Sequence, residues 1–176
     1  GLHRLPPVLS FFSKTYPEVH LDIDFMDSEQ AYEQTLRGEA ELAVVTLAPA
    51  PMASIITRAI WSDPLDFMVQ KGHELSRMKK MDMKELSKHP AILPGLNTYT
   101  GQIVKNLFDR RGLPVQIALA TNYLETIRMM ASVGLGWTVL PRSMLDASLT
   151  TLPISDARIE RSLGVVHHES RSLSRA

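Results

Sequence analysis

PGLNTYTGQIVKNLF, residues 94–108, sets a glycine- and hydroxyl-rich turn between the apolar run AIL (91–93) and the amphipathic run IVKNLF (103–108). The two glycines suggest a phosphate loop, but five residues separate Gly95 from Gly101 and Gln102 comes next. A Walker loop has four residues there, followed by Lys and Ser or Thr, because backbone amides cradle the phosphates and the lysine caps them. The stretch therefore reads as a short buried strand entering a helix near 101–112 through a polar start, not as a nucleotide site.

The same unit recurs on both sides. Downstream, strand VQIALA (115–120) runs through Thr121-Asn122 into a helix at 123–133, then strand GWTVLP (136–141) and a short helix near 142–146. LTTLPI and RSLGVVHHE follow as strands, and a short helix near 83–88 precedes AIL. Upstream, Leu5, Val8, Leu9 and Phe12 fall on one face of a helix over 5–16, which Tyr16-Pro17 stops. HLDIDF (20–25) alternates apolar and acidic residues like an edge strand, and ELAVVTL (41–47) reads as a central strand buried on both faces. Between them a helix over 28–37 is entered at Asp27-Ser28 and closed by Gly38. ASIITRAIW and LDFMVQ read as two strands separated by Ser62-Asp63-Pro64. Strand, helix, strand at this spacing predicts parallel pairing with right-handed crossovers. The expected class is α/β: two Rossmann-like lobes joined by a two-crossing hinge, 1–66 with 152–176 and 67–151.

Composition narrows the function. Lys plus Arg and Asp plus Glu both number 19, so the chain lacks the net positive charge of a nucleic-acid-binding domain. With no cysteine there is no disulfide, no thiolate nucleophile and no cysteine-based zinc site. No apolar run reaches the roughly 18 residues of a membrane helix. HExxH and GxSxG are absent, and His167 and His168 are neighbours on a strand, pointing to opposite faces. The sequence thus predicts no catalytic residue, no metal and no cofactor. RMKK (77–80) reads as a solvated loop, and Met78, Met81 and Met83 as core or surface filler rather than a ligand wall.

Three helix starts, at Asp27-Ser28, Thr98-Tyr99-Thr100 and Thr121-Asn122, share the character of the opening turn. Asp27 with Gln30 and Asn122 with Glu125 have capping-box spacing. Any one alone is a helix cap; three at equivalent places suggest the carboxyl ends of strands, where open α/β sheets bind ligands.

In this order the pieces resemble the effector-binding domain of LysR-type transcriptional regulators. LPPVLSFFSKTYPEVHLDI (5–23) resembles the family's first helix and second strand. LRGEAELAVVT (36–46) resembles the turn into the third strand, with Glu41 where the family usually has Asp. DPLDFMVQKGHEL (63–75) resembles the crossing strand, with Glu74 in place of Pro, and LPGLNTYTG (93–101) with MMASVGLGWTVLPRSML (129–145) resembles the second lobe.

The resemblance implies a type 2 periplasmic-binding-protein-like fold that binds a small effector between its lobes, with DNA bound only through an N-terminal helix-turn-helix lying outside this sequence. The domain's usual first strand and last helix are also expected to lie outside it. By the same resemblance Thr100 and Thr46 are the leading ligand contacts, and Ser28, Thr98, Gln102 and Asn122 the next. Met26 and Trp61 are candidates for an apolar wall, Trp61 equally for a core or hinge anchor. An organic acid is the favoured effector, then an amino acid. The family also implies a cytoplasmic homodimer, with a tetramer as the alternative for the full-length protein. Its expected edges are helix 5–16 with strand 20–25 and helix 101–112 with strand 115–120, where Asp22 and Asp24 would meet Arg110 or Arg111. A transporter's solute-binding protein and an enzyme on the same fold are the rival readings.

Overall fold

The computed structural model describes residues 5–78 and 81–171. Lys79 and Lys80 of the RMKK run, and the chain after Arg171, lie outside the described residues. The chain divides into two compact units, Gly1–Trp61 with Ser162–Ala176, and Ser62–Arg161.

The first unit holds helices α1 (Leu5–Thr15) and α2 (Ser28–Arg37), and strand β1 (Leu42–Thr46). It also takes the first part of β2 (Ile55–Gln70) and the last part of β7 (Ile159–His168). Gly38 closes α2 in the left-handed conformation at φ 73°, its N–H returning to the carbonyls of the last turn. Tyr32 is buried on α2, and its hydroxyl accepts from Ala48 N at 3.0 Å just past β1. β1 pairs antiparallel with β7, Val44 opposite Val165.

Two expectations fail in this unit, and a third fails where β2 enters the next. Residues 20–25 are not a strand: Leu21, Ile23 and Phe25 are exposed, and no described strand pairs with the segment. Alternation marks a chain that could line one face of a sheet, but without a ladder partner it stays irregular. β1 is not central either, since β7 is its one strand neighbour among the described residues and Leu42 is about half exposed (48%). Its pairing is accordingly antiparallel rather than parallel. Finally, Ser62-Asp63-Pro64 does not interrupt β2, which runs through it for 16 residues. Pro64 lies just before Leu65, where the pairing with strand 137–141 begins, so its missing N–H costs no bond in that ladder.

The second unit contains α3 (Met83–Leu86), β3 (Pro90–Leu93), α4 (Tyr99–Asp109), β4 (Gln116–Ala120), α5 (Leu124–Ser132), β5 (Trp137–Pro141) and β6 (Leu149–Thr151). A 3₁₀ turn, Arg142–Met144, stands where the short helix was expected. β4, β3 and β5 are parallel neighbours, and β2 adds antiparallel to β5. β6 also pairs antiparallel with β2.

Period-two alternation splits the core into two layers. Leu65, Phe67 and Val69 of β2, Ala91 and Leu93 of β3, and Trp137 and Val139 of β5 pack with Val104 and Phe108 of α4. Met68, Ile92 and Leu140 turn to the other face and meet Ile127 and Ala131 of α5. Helices therefore cover both faces of the parallel strands, as a doubly wound unit requires.

Thr138 faces the α5 layer, fully buried between Met68 and Ile92 in register, and its Oγ1 has no hydrogen-bond partner. A buried hydroxyl left unsatisfied costs free energy that an isosteric methyl would not. Thr138→Val should therefore raise stability by about 1 kcal/mol, read as an upward shift of the urea midpoint at unchanged slope. A drop in midpoint would show that the hydroxyl has a partner after all.

Candidate functional site

The opening turn is a helix entry built around one carbonyl. Thr98 is the N-cap of α4, and its Oγ1 accepts from Gly101 N at 3.1 Å while donating to Gly95 O at 2.7 Å. Thr98 N donates to the same carbonyl at 2.9 Å. A Cβ on Gly101 would lie 2.1 Å from Gly95 O, so the second glycine is there for close backbone approach. Neither glycine cradles a phosphate in the manner of a Walker loop.

Asn122 binds into this turn from the end of β4, its Oδ1 accepting from Gly95 N at 3.2 Å, and Gln102 Nε2 donates to Asn97 O at 3.4 Å. The expected capping boxes do not form. The N-cap of α5 is Tyr123 rather than Asn122, and Asp27, though it is the N-cap of α2, makes no side-chain capping bond. Asn122 is drawn away by the Gly95 amide, a tertiary bond that local spacing could not reveal.

Thr100, in the first turn of α4, is buried, and the group against it was missed in the sequence. Arg161 Nη1 donates to Thr100 Oγ1 at 3.2 Å, and Arg161 Nε donates to Asp63 Oδ2 at 2.8 Å. Both members of the ion pair are sheltered, their side chains 9% and 16% exposed. A signal for Arg161 existed: Ile159, Arg161 and Leu163 alternate with Glu160 and Ser162, and the first three are buried while the other two are exposed. An arginine at an inward position of a strand is expensive unless it has partners, which makes it a site candidate. Glu160 meanwhile accepts from Ser62 Oγ at 2.8 Å, so β2 and β7 are bridged twice by side chains in consecutive positions.

In the first unit, Ser28 Oγ accepts from Thr46 N at 2.9 Å, which joins the start of α2 to the end of β1. Two of the expected contacts, Ser28 and Thr46, are thus brought together. Met26 and Trp61 are half-buried. Within the second unit, Thr98, Thr100, Gln102 and Asn122 gather at the entries of α4 and α5. Arg111, one of the two arginines named for a partner's acid, donates to Leu107 O at 3.2 Å and lies 3.6 Å from the Asp156 carboxylate within its own unit.

Helices on both faces of parallel strands, with polar helix entries at the strand ends, make a doubly wound α/β unit of the kind whose strand ends serve as ligand sites. The family model described as LysR substrate binding domain matches residues 1–176, and the chain belongs to that family. Among curated relatives, the HTH-type transcriptional regulator CysB of Haemophilus influenzae is 25% identical over 155 residues, 88% of this chain and 48% of that protein. SsuR of Burkholderia cenocepacia, another HTH-type transcriptional regulator, is 25% identical over 150 residues, 85% of this chain and 48% of that one. The chain therefore spans about half the length of these relatives.

Among solved structures, the regulatory domain of Synechocystis CcmR in complex with 2-PG superposes with a TM-score of 0.86 at 24% identity, covering 98% of this chain and 85% of that one. The effector-binding domain of QuiR in complex with shikimate gives 0.87 at 15% identity, covering 99% and 85%. The type 2 periplasmic-binding-protein-like class expected from the sequence is thereby established.

Proposed function

We propose that this chain is the effector-binding and oligomerisation domain of a cytoplasmic LysR-family regulator, and that it binds a small organic acid, or next an amino acid, without catalysing a reaction. DNA would be contacted by a helix-turn-helix elsewhere in the parent protein. The homodimer would use the α1 edge and the α4–β4 edge. The observation that carries the reading is the entry of α4, where Thr98 and Thr100 sit at the positive end of an 11-residue helix beside the buried Arg161. First-turn amides and the Thr100 hydroxyl, backed by the Arg161 guanidinium, can donate to an acidic oxygen there, while the Thr98 hydroxyl proton is committed to Gly95 O. Thr100 and Thr46 are the proposed principal contacts, supported by Ser28, Thr98, Gln102 and Asn122, with Met26 as apolar wall. That QuiR is seen with shikimate, a small acid, favours the same ligand class.

A thermal-shift panel of small carboxylates, phosphorylated acids, amino acids and nucleotides tests this. At least one acid or amino acid should raise the melting temperature, and Thr100→Ala should then weaken its binding about 5- to 150-fold, the equivalent of ~1–3 kcal/mol for a lost bond to a charged group. That variant also leaves Arg161 Nη1 without its Thr100 acceptor, so a stability loss of about 1–3 kcal/mol accompanies it, and the affinity is read by calorimetry on the folded variant. A nucleoside triphosphate as the sole stabiliser would overturn the reading.

A further inference from the structure

We propose that the first unit is a conditional element, opening and closing as one cooperative piece while the second unit stays folded. The effector contacts proposed on it, Ser28 and Thr46, then meet only in the closed state. The opening itself follows from the fold; its consequence for the effector rests on Ser28 and Thr46 being contacts.

The two units differ first in their apolar packing. Among the described residues, both packed apolar clusters lie wholly within Ser62–Arg161. The first unit buries Ala31 and Tyr32 of α2, Val45 of β1, and Leu163 and Val166 of β7. No residue of α1 is buried, Phe11 is 70% and Phe25 74% exposed, and Ile56 to Ile60 of β2 are exposed without a break. Burying one large apolar side chain offsets the ordering of only about one or two residues. The few such side chains of the first unit hold it closed by a small margin, whereas two packed layers hold the second.

They differ also in how the chain builds them. The second unit is one continuous stretch, while the first joins residues 1–61 to 162–176. Its ladder sets Val44 opposite Val165, with the whole second unit in the chain between them. Closing so long a loop costs entropy that a folded intervening unit has already met. The second unit can therefore stand while the first is open, and the first closes on a chain whose second unit is formed. Elements with few buried apolar contacts are also those that open at the lowest free energy.

Two hydrogen bonds mark the closed state. Ser28 Oγ accepts from Thr46 N at 2.9 Å, tying the start of α2 to the end of β1. Tyr32 Oη accepts from Ala48 N at 3.0 Å, a second tie from α2 to the chain just past β1. Both are lost when α2 leaves β1. A ligand that touches Ser28 and Thr46 together binds the closed state alone and draws the unit towards it by mass action. Effector occupancy and closure of the first unit are then one linked equilibrium.

Native-state hydrogen exchange on the 176-residue chain, in rising urea and without ligand, tests the opening. Amides of α2 and β1 should merge onto one isotherm, with protection at least about tenfold below that of Ile92, Val104 and Phe108. Val139→Ala should speed exchange at those second-unit amides about tenfold or more. It should leave α2 and β1 at wild-type rates, because the second unit stays folded while they exchange. Tyr32→Ala should abolish protection in α2 and β1 and keep the second-unit amides protected. One isotherm shared by both units, equal acceleration of both by Val139→Ala, or loss of all protection in Tyr32→Ala would overturn the conditional unit. Because no ligand takes part, none of these results bears on whether an acid binds, which the thermal-shift panel decides separately.

Discussion

Replacing Trp137 by alanine should cost the chain about 3–5 kcal/mol of stability, the range for truncating a large buried aromatic side chain. Trp137 has no exposed surface and lies at the middle of the α4-side layer of the second unit. Its ring stacks on Phe108 at 5.6 Å and 15°, and meets Phe67 at 6.0 Å and 51°. One helix residue and one β2 residue are therefore held against β5 by the same side chain. The indole N–H also donates to His89 O at 3.0 Å, so truncation leaves that carbonyl without its donor. Trp137→Phe separates the two losses, because it keeps most of the ring contacts and removes the hydrogen bond. Its cost should be nearer ~1–3 kcal/mol. Equilibrium urea unfolding followed by circular dichroism measures both. Since whole domains are stable by only roughly 5–15 kcal/mol, the alanine variant should sit close to unfolding at 37 °C. A loss below about 1 kcal/mol would contradict the packing around the indole.

That layer was legible in the sequence because each of its elements announces itself locally. AIL and GWTVLP are short apolar runs bounded by Gly or Pro, and IVKNLF has helical spacing. Thr98 was legible as a helix-entry residue for the same reason, and it does cap α4. What failed was whatever depended on a distant partner. HLDIDF has a strand's alternation, yet a strand exists only where a second strand lies beside it, and alternation says nothing about that. Ser62-Asp63-Pro64 has a turn's composition, but its side chains bind Glu160 and Arg161 on β7, and the backbone stays extended through it.

Arg161 was the largest omission, and for the same reason. Its partners lie 61 and 98 residues away in the chain, so only the inward alternation of β7 hinted that it was buried. The hydroxyl-rich turns were found from sequence, while the cation that orders one of them was not. Small residues at helix entries carry a local preference. A charge inside a sheet is specified wholly by its tertiary partners.

The same dependence makes Asp63 a sensitive position. Asp63→Ala should destabilise the chain by about 3–5 kcal/mol, because it leaves the guanidinium of Arg161 buried with its counter-charge removed. The attraction lost is the smaller part of this cost; the larger part is the desolvation of a cation that can no longer be offset. Two further variants test that division. Asp63→Asn keeps an acceptor for Nε while removing the charge, and should fall between wild type and alanine. Asp63→Leu combined with Arg161→Met removes both ions and fills the space with apolar atoms, and should recover most of the stability or exceed wild type, since replaced buried pairs are often neutral or gain ~1–4 kcal/mol. Urea midpoints of the four proteins decide it, with the ordering Asp63→Ala lowest and the double variant near or above wild type. If the double variant were as unstable as Asp63→Ala, the ion pair would be contributing net stability of its own. The sheltered charge would then be a structural gain. If the predicted ordering holds, the pair does not stabilise the fold relative to apolar side chains, and its contribution lies in the contacts it fixes between β2, β7 and the first turn of α4.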